Sequence, residues 1–208
     1  MSRYAYYERM KSLARDVRAT AGLTTPRVLK SDLRAIYRRE NIRIDLWPHF
    51  KGLRGAYFND EHGASVVLNS SLPEDPRVFT MAHELKHHLV DRELGLAFCD
   101  VGNQNEEIEI GAEVFAAELI FPEQDFVAAL AEMGIRKGTC TPESLVRLKT
   151  ETRTTLSYAG LSKSAIRLGF APEGTFLGVK WKKLEERING EPVYKRIQRY
   201  RRHRDGKG

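Results

Sequence analysis

Cysteine is scarce in this sequence, and long hydrophobic runs are missing from it. The two cysteines, Cys99 and Cys140, stand far apart and form no CxxC or CxxH pair, which excludes a disulfide framework and a thiolate zinc site and predicts two reduced thiols. No apolar run reaches the about 18 residues of a transmembrane helix, and the N-terminal segment is charged from Arg3 onward, unlike a signal peptide. We therefore expect a cytoplasmic protein that does not enter a membrane.

Acidic residues are in short supply only at the end of the chain. Residues 180–208 hold 11 Lys or Arg against 4 Asp or Glu, a net charge of +7, which leaves −1 for residues 1–179. Clustered cations attract polyanions, but a basic tail is also common as a solvated terminus. Two interpretations stay open: weak contact with nucleic acid through the tail, or no role in binding.

The order of apolar residues predicts an α+β fold that is mainly helical. With 208 residues and 41% hydrophobic composition, the chain can form one domain with a real core. Spacing of three and four residues predicts helices, and alternation predicts strands that form a small antiparallel sheet with a hairpin. The predicted helices cover 4–20, the segment from Pro26 to about Asn41, about 76–91, 106–121, 123–133, 142–150 and 154–168. The predicted strands cover 42–47, 55–58 and 64–69, and a loop covers 93–105. We expect a domain over 1–170 and a basic appendage over 171–208 that is loosely packed or hairpin-like.

The strongest chemical signal is an HExxH motif that begins at His83 and ends at His87 on a predicted helix. Residues four apart lie about 40° apart around a helix, so both imidazoles can reach one cation, with Glu84 beside them. Two neutral imidazoles and a carboxylate suit Zn²⁺, which then keeps a position for water and leaves Glu84 to act as the general base. The apolar stripe of this helix faces away from the two histidines, which argues against a chance match.

A catalytic zinc ion needs a third protein ligand, and the next predicted helix supplies five candidates. They are Glu106, Glu107, Glu109, Glu113 and Glu118. Helix phase places Glu109 and Glu113 at one edge of the buried face, and it points Glu107 and Glu118 towards solvent. We predict Glu109 as the third ligand and Glu113 as the carboxylate that orients a zinc-binding histidine through its free ring N–H.

Several further segments accompany the two motifs. They are Gly55-Ala56-Tyr57-Phe58, a short strand that ends at Asn69, the run from Phe79 to Leu89 around HExxH, and the ExxA segment that begins at Glu109. Together these segments resemble the ImmA/IrrE-type metallopeptidases, over about residues 25–168. The resemblance also implies that Glu109 is the third ligand. It implies, further, cleavage of a helix-turn-helix repressor in stress-response or mobile-element regulation.

The chain departs from the family pattern at two positions. Lys86 stands where a glycine is usual, and we expect it on the helix surface. Glu113 stands where an asparagine is usual, which puts a second carboxylate close to the metal. His88 is expected to be either a contact of a zinc ligand or an exposed residue, and Tyr57 or His62 is a candidate for stabilising an oxyanion.

These observations predict a zinc-dependent endopeptidase, with an edge strand near 64–69 that binds an extended substrate by strand addition. Two alternatives stay open. One is a catalytically silent regulatory protein that keeps the peptidase scaffold and acts through its basic tail on DNA or a partner. The other is a general aminopeptidase with the same two-histidine, one-glutamate site. Zinc content distinguishes the first alternative, and hydrolysis of short unfolded peptides distinguishes the second.

Overall fold

The fold combines eight described helices with one small sheet. The computed structural model describes residues 2–48, 52–94, 96–98, 106–192, 195 and 197. The helices are α1 (Arg3–Ala21), α2 (Lys30–Arg39), α3 (Glu74–Val90), α4 (Glu106–Ile120), α5 (Glu123–Glu132), α6 (Pro142–Thr152), α7 (Tyr158–Arg167) and α8 (Trp181–Asn189). The strands are β1 (Arg43–Trp47), β2 (Gly55–Asp60), β3 (Gly63–Asn69) and β4 (Leu96–Phe98). The predicted α+β class, mainly helical, is confirmed.

The sheet has the strand order β1-β3-β2-β4. β2 and β3 form the predicted antiparallel hairpin, with Tyr57 opposite Val66. β1 runs parallel to β3, with Asp45 opposite Val67, so the sheet is mixed rather than purely antiparallel. The expectation that residues 64–69 form an edge was wrong, because β3 is hydrogen-bonded to strands on both sides. The edges of the described sheet are β1 and β4.

Two described elements differ from the expectations for their segments. β4 lies within the segment expected as a loop over 93–105, of which 95 and 99–105, including Cys99, fall outside the described residues. α8 is a helix where a loosely packed or hairpin-like appendage was expected, and its spacing of Trp181, Leu184 and Ile188 follows the helical period. The basic tail beyond Pro192 lies outside the described residues apart from 195 and 197.

Cys140 and the described helices match the expectations of a reduced thiol and of helices that do not cross a membrane. Cys140 is a free, buried thiol, and burial raises its pKa to about 11. It therefore stays protonated and weakly nucleophilic at neutral pH. None of the described helices combines the length and the hydrophobicity that crossing a lipid bilayer requires.

α4 lies at the centre of the helical part, with α3 packed on one side and α1 on another. Phe115 and Leu119 are fully buried in this core. α1 also holds the end of α4, because Arg18 donates to the carbonyl oxygens of Leu119 at 2.6 Å and Ile120 at 3.3 Å. These carbonyls lack partners within their own helix, so the guanidinium acts as a cap. The contacts with α1 fix the position of the helix that carries Glu109.

Burial of α4 on two sides corrects the placement of Glu118, which helix phase directed into solvent. Its side chain is 3% exposed, and Arg15 Nη1 lies 2.7 Å from Oε1. The backbone N–H of Glu123 donates to Oε2 at 3.0 Å. A helix enclosed between neighbours has no single polar face, so phase alone misplaces such a residue. Glu107 is exposed, as expected.

Candidate metal centre

Three side chains from two helices converge on one point. His83 and His87 lie one turn apart on α3, and Glu109 faces them from α4. The Nε2 atoms of the histidines are 3.3 Å apart. Glu109 Oε2 lies 3.2 Å from His83 Nε2, and Glu109 Oε1 lies 3.6 Å from His87 Nε2. Of the five candidate glutamates, Glu109 is the one that the described structure brings into this group.

The separations within this group fit a tetrahedral zinc ion. With metal–ligand bonds of about 2.05 Å, two ligands of a tetrahedral zinc site stand about 3.3 Å apart. The separation of 3.3 Å between the two Nε2 atoms matches that edge length. The two oxygens of Glu109 lie at similar distances, Oε2 at 3.2 Å from His83 Nε2 and Oε1 at 3.6 Å from His87 Nε2. Two imidazole nitrogens and one carboxylate oxygen are also the donor set of a common class of catalytic zinc site. The residues therefore fit this metal by both distance and chemistry.

The electrostatics of the site favour a positive charge. Burial alone would lower the pKa of His83, but the hydrogen bond that it donates to Glu109 and the charges of Glu84, Glu109 and Glu113 raise that pKa above its usual value. A proton on His83 and a divalent cation compete for the same nitrogen, since only the neutral imidazole can bind a metal. The same negative surroundings that favour the proton also attract the cation.

Asp91 orients His87, a contact that sequence analysis missed. It follows the last turn of α3, and its Oδ2 lies 2.8 Å from His87 Nδ1. A ring N–H at Nδ1 that donates to this carboxylate leaves the lone pair of Nε2 directed at the metal position. Burial alone would raise the pKa of Asp91, but hydrogen bonds from His87 and Lys86 outweigh it and hold the pKa below its usual value. The aspartate therefore stays ionised at neutral pH.

Glu113, expected to make this contact, lies elsewhere. Its carboxylate accepts a hydrogen bond from Lys163 on α7 at 2.8 Å, and half of its side chain is exposed. The reason is geometric, since four residues advance the chain by about 6 Å along a helix axis, which carries Glu113 past the histidines. Glu113 acts on the site through its charge, and Asp91 provides the carboxylate that orients a histidine.

Lys86 is buried, and the expectation that it lies on the helix surface was wrong. Its side chain is fully excluded from solvent, and its Nζ lies 2.6 Å from the same Asp91 Oδ2 that accepts from His87. The ammonium also donates to the carbonyl oxygen of Ile108 at 3.0 Å and lies 5.8 Å from the ring centre of Tyr6. Ile108 immediately precedes Glu109. Lys86 therefore connects the carboxylate behind one ligand to the backbone beside another.

Replacing Lys86 by methionine, which has a similar length and no charge, should weaken zinc binding by about tenfold, as loss of contacts behind a metal ligand typically does. It should also destabilise the fold by about 3 kcal/mol, because Asp91 loses one partner of a buried ion pair. The double variant Lys86→Met/Asp91→Asn should recover stability but not zinc affinity. Competition with a chromogenic chelator and chemical denaturation measure the two effects, and an unchanged affinity in Lys86→Met would contradict the assignment.

Glu84, next to His83 on α3, is fully buried against the start of β2. Space for its carboxylate depends on Gly55. A Cβ atom added at Gly55 would stand 2.9 Å from Glu84 Oε1, 2.6 Å from Thr80 Cγ2 and 3.2 Å from the carbonyl oxygen of Val67. The missing side chain at the first residue of the Gly55-Ala56-Tyr57-Phe58 segment thus lets the strand lie directly against the glutamate.

Gly55→Ala should lower hydrolysis about a hundredfold, the size of effect that a displacement of about 1 Å produces in a catalytic group. Zinc content should not change, because none of the three ligand side chains is displaced. Adding Thr80→Ser removes the clash with Cγ2 and keeps the hydroxyl group, so the double variant should regain thermal stability without regaining activity. Hydrolysis and the melting temperature are measured for both variants. Full activity in Gly55→Ala would contradict the idea that the position of Glu84 depends on the missing side chain at Gly55.

The residues proposed for oxyanion stabilisation have other contacts. The Tyr57 hydroxyl is buried and lies 3.2 Å from His88 Nδ1. His88, expected to be exposed or beside a ligand, is 2% exposed and also contacts the guanidinium of Arg92. His62 is on the turn between β2 and β3, with 72% of its side chain exposed. Tyr57 and His88 therefore form a polar contact within the core.

Comparison with known proteins is consistent with this geometry. A search of curated proteins gave no match. The sequence model of a peptidase family, described as the IrrE N-terminal-like domain, matches residues 49–154, half of the chain. The matched range contains β2, β3, the HExxH helix and Glu109, and so it covers the three side chains of the cluster. The chain belongs to the peptidase family of the IrrE N-terminal-like domain.

Proposed function

We propose that this protein is a zinc-dependent endopeptidase, with His83, His87 and Glu109 as the zinc ligands and Glu84 as the general base. The observation that carries the proposal is the convergence of the two Nε2 atoms, 3.3 Å apart, with the carboxylate of Glu109, whose Oε2 lies 3.2 Å from His83 Nε2 and whose Oε1 lies 3.6 Å from His87 Nε2. Membership of a peptidase family supports the same reaction class.

When bound, zinc supplies Lewis-acid chemistry, lowering the pKa of a water molecule to about 7 and polarising a carbonyl group. The side chains supply proton transfer and orientation. Glu84 accepts the proton of the attacking water and then donates it to the leaving amine, as a general base that becomes a general acid. Asp91 holds His87 in one tautomer, and Lys86 fixes Asp91.

The substrate that we propose is a helix-turn-helix transcriptional repressor. Support for it comes from the resemblance of the sequence motifs to the ImmA/IrrE-type metallopeptidases, whose members are linked to cleavage of such repressors. Specific cleavage of one folded protein would also separate this chain from a general aminopeptidase, which would readily hydrolyse short unfolded peptides.

The decisive experiment combines metal analysis with cleavage. The zinc-loaded protein is incubated with the helix-turn-helix protein encoded beside it, and the products are identified by mass spectrometry. We expect one zinc ion per chain and a single internal cut that is absent with the Glu84→Gln variant. Release of single residues from the N-terminus would instead indicate an aminopeptidase. A protein without stoichiometric zinc, whose Glu84→Gln variant behaves like the wild type in cells, would indicate a regulatory binding protein.

A further inference from the structure

An apolar cavity of about 620 Å³ opens beside the metal centre, between the start of α3, α4 and α7. Its apolar wall is formed by Phe79 from α3 and by Ile110, Val114, Ala117 and Phe121 from α4 and its end. The volume falls within the range of about 300–1,000 Å³ that is typical of ligand pockets. It exceeds what one side chain needs, so a large residue fits with part of the backbone that carries it.

The cavity adjoins the metal centre along both helices that carry ligands. Phe79 precedes His83 by one turn on α3, and Glu113, also on the cavity wall, follows Glu109 by one turn on α4. One turn corresponds to about 5.4 Å along a helix axis, and one residue of an extended peptide spans about 3.3–3.6 Å. A peptide whose carbonyl lies at the metal centre can therefore place the side chain of a residue next to that carbonyl in the cavity.

On the described cavity wall, each charged side chain except one has an ion-pair partner of opposite charge. Glu113 pairs with Lys163 and Glu123 with Arg167, and both pairs join α7 to the opposite wall. The other two carboxylates on the wall, Asp75 and Glu118, pair with Lys149 and Arg15. Among the described residues, the remaining cation of the wall is Arg54, which is exposed and has no carboxylate partner. Arg54 immediately precedes Gly55, so it lies at the end of the cavity nearest to Glu84.

We propose that this cavity is the subsite for a large apolar side chain of the substrate, and that Arg54 binds a carboxylate of the same peptide. The inference rests on the proposed peptidase function and adds the chemistry of the residues next to the cleaved bond. The apolar wall provides the favourable burial, and the unmatched guanidinium is the group that a peptide carboxylate would neutralise. Such a carboxylate comes either from an acidic side chain or from a free C-terminus.

The test uses alanine-rich octapeptides with an acetylated N-terminus and an amidated C-terminus, in which a central Phe-Glu pair is replaced by Ser-Glu or Phe-Gln. A fourth peptide ends with Phe-Gln and a free carboxylate. Ala117→Phe fills the cavity from its wall, and Ala128→Phe places the same side chain on the exposed surface of α5 as a control. Arg54→Gln removes the unmatched charge. Arg9→Gln is its control, because it removes an exposed charge on α1, at a position distant in sequence from Arg54.

We expect kcat/KM for the Phe-Glu peptide to exceed that for Ser-Glu by about ten- to a hundredfold, the value of burying a large apolar side chain. Ala117→Phe should abolish this preference, and Ala128→Phe should keep it. Arg54→Gln should raise KM for Phe-Glu by about tenfold, with no change for Phe-Gln, as expected for a hydrogen bond to a charged group. If only the peptide with a free terminus responds to Arg54→Gln, the carboxylate is terminal.

A binding measurement separates this inference from the proposed function. The anisotropy of labelled peptides reports their binding to Glu84→Gln protein, alone and combined with Ala117→Phe. If neither the octapeptides nor the helix-turn-helix repressor is cut, but Phe-Glu binds more tightly than Ser-Glu and Ala117→Phe removes the difference, the peptidase proposal fails and the subsite stands. If peptides are cut without a preference for phenylalanine, and Ala117→Phe behaves like Ala128→Phe, the subsite is wrong and the peptidase stands. Equal kcat/KM and equal affinity for the Phe-Glu and Ser-Glu peptides would also overturn the subsite.

Discussion

Replacing Glu84 by glutamine should lower peptide hydrolysis by about 10²- to 10⁴-fold, the contribution that a general base typically makes. Glutamine has nearly the same shape as glutamate, so it fits the space beside Gly55, but its amide cannot accept the proton of the attacking water. Zinc binding should be unchanged, because the converging donor atoms belong to His83, His87 and Glu109. The variant should therefore be inactive, folded and loaded with one zinc ion.

The matched control is His83→Ala, which removes a donor atom from an adjacent position on the same helix. It should lose both zinc and activity, whereas Glu84→Gln should lose activity alone. Elemental analysis after gel filtration gives the zinc content, and near-UV circular dichroism reports the packing. Loss of zinc from Glu84→Gln would mean that this carboxylate is a ligand, and the assignment of the base would then have to change.

The position of Glu109 could be predicted from sequence because it depends on one helix at a time. The spacing of His83 and His87 places both imidazoles on one face of α3. The phase of α4 then places Glu109, together with Glu113, at one edge of the buried face. The predicted edge of the sheet failed for the opposite reason. Which strand lies outside depends on the parallel pairing of β1 with β3, two strands that are separated in the sequence by β2.

Lys86 and Glu118 show what the phase of a single helix cannot supply. Both side chains are charged and both are buried, since neighbouring helices cover the faces that a lone helix would present to solvent. Each has a partner of opposite charge from outside its own helix, Asp91 for Lys86 and Arg15 for Glu118. The sequence did contain a signal for the contact between Asp91 and His87. Asp91 follows His87 by four residues, which is the spacing of neighbours on one helix face.

α1 supports the metal centre although it precedes the range that the family model matches. Tyr6 covers the ammonium of Lys86, and its close approach to α4 depends on Gly111, where a Cβ atom would stand 2.6 Å from the Tyr6 hydroxyl oxygen. Arg18 caps the far end of the same helix. His83, His87 and Glu109 therefore lie within the matched range, while part of what holds α4 in place lies before it.

The position of Glu109 on α4 makes possible a comparison between two chemically identical changes. Glu109→Ala should weaken zinc binding at least about a hundredfold. The variant keeps two histidines but loses the one charged ligand, and the affinity of a zinc site depends on each of its ligands. Glu113→Ala, one turn away, should leave the affinity within about threefold, because that carboxylate faces Lys163 and acts on the site only through its charge.

Chelator competition at fixed pH and ionic strength measures both affinities, and hydrolysis of a susceptible protein measures the consequence for activity. The two variants remove the same group from the same helix, so a general loss of helix stability would affect them alike. A large difference in zinc affinity can then arise only from the position of the carboxylate relative to His83 and His87. Equal losses in both variants would mean that the site binds zinc through the summed negative charge of α4 rather than through a ligand at Glu109. A larger loss in Glu113→Ala would indicate Glu113 as the third ligand and would contradict the choice of Glu109, which rests on its carboxylate oxygens lying 3.2 Å from His83 Nε2 and 3.6 Å from His87 Nε2.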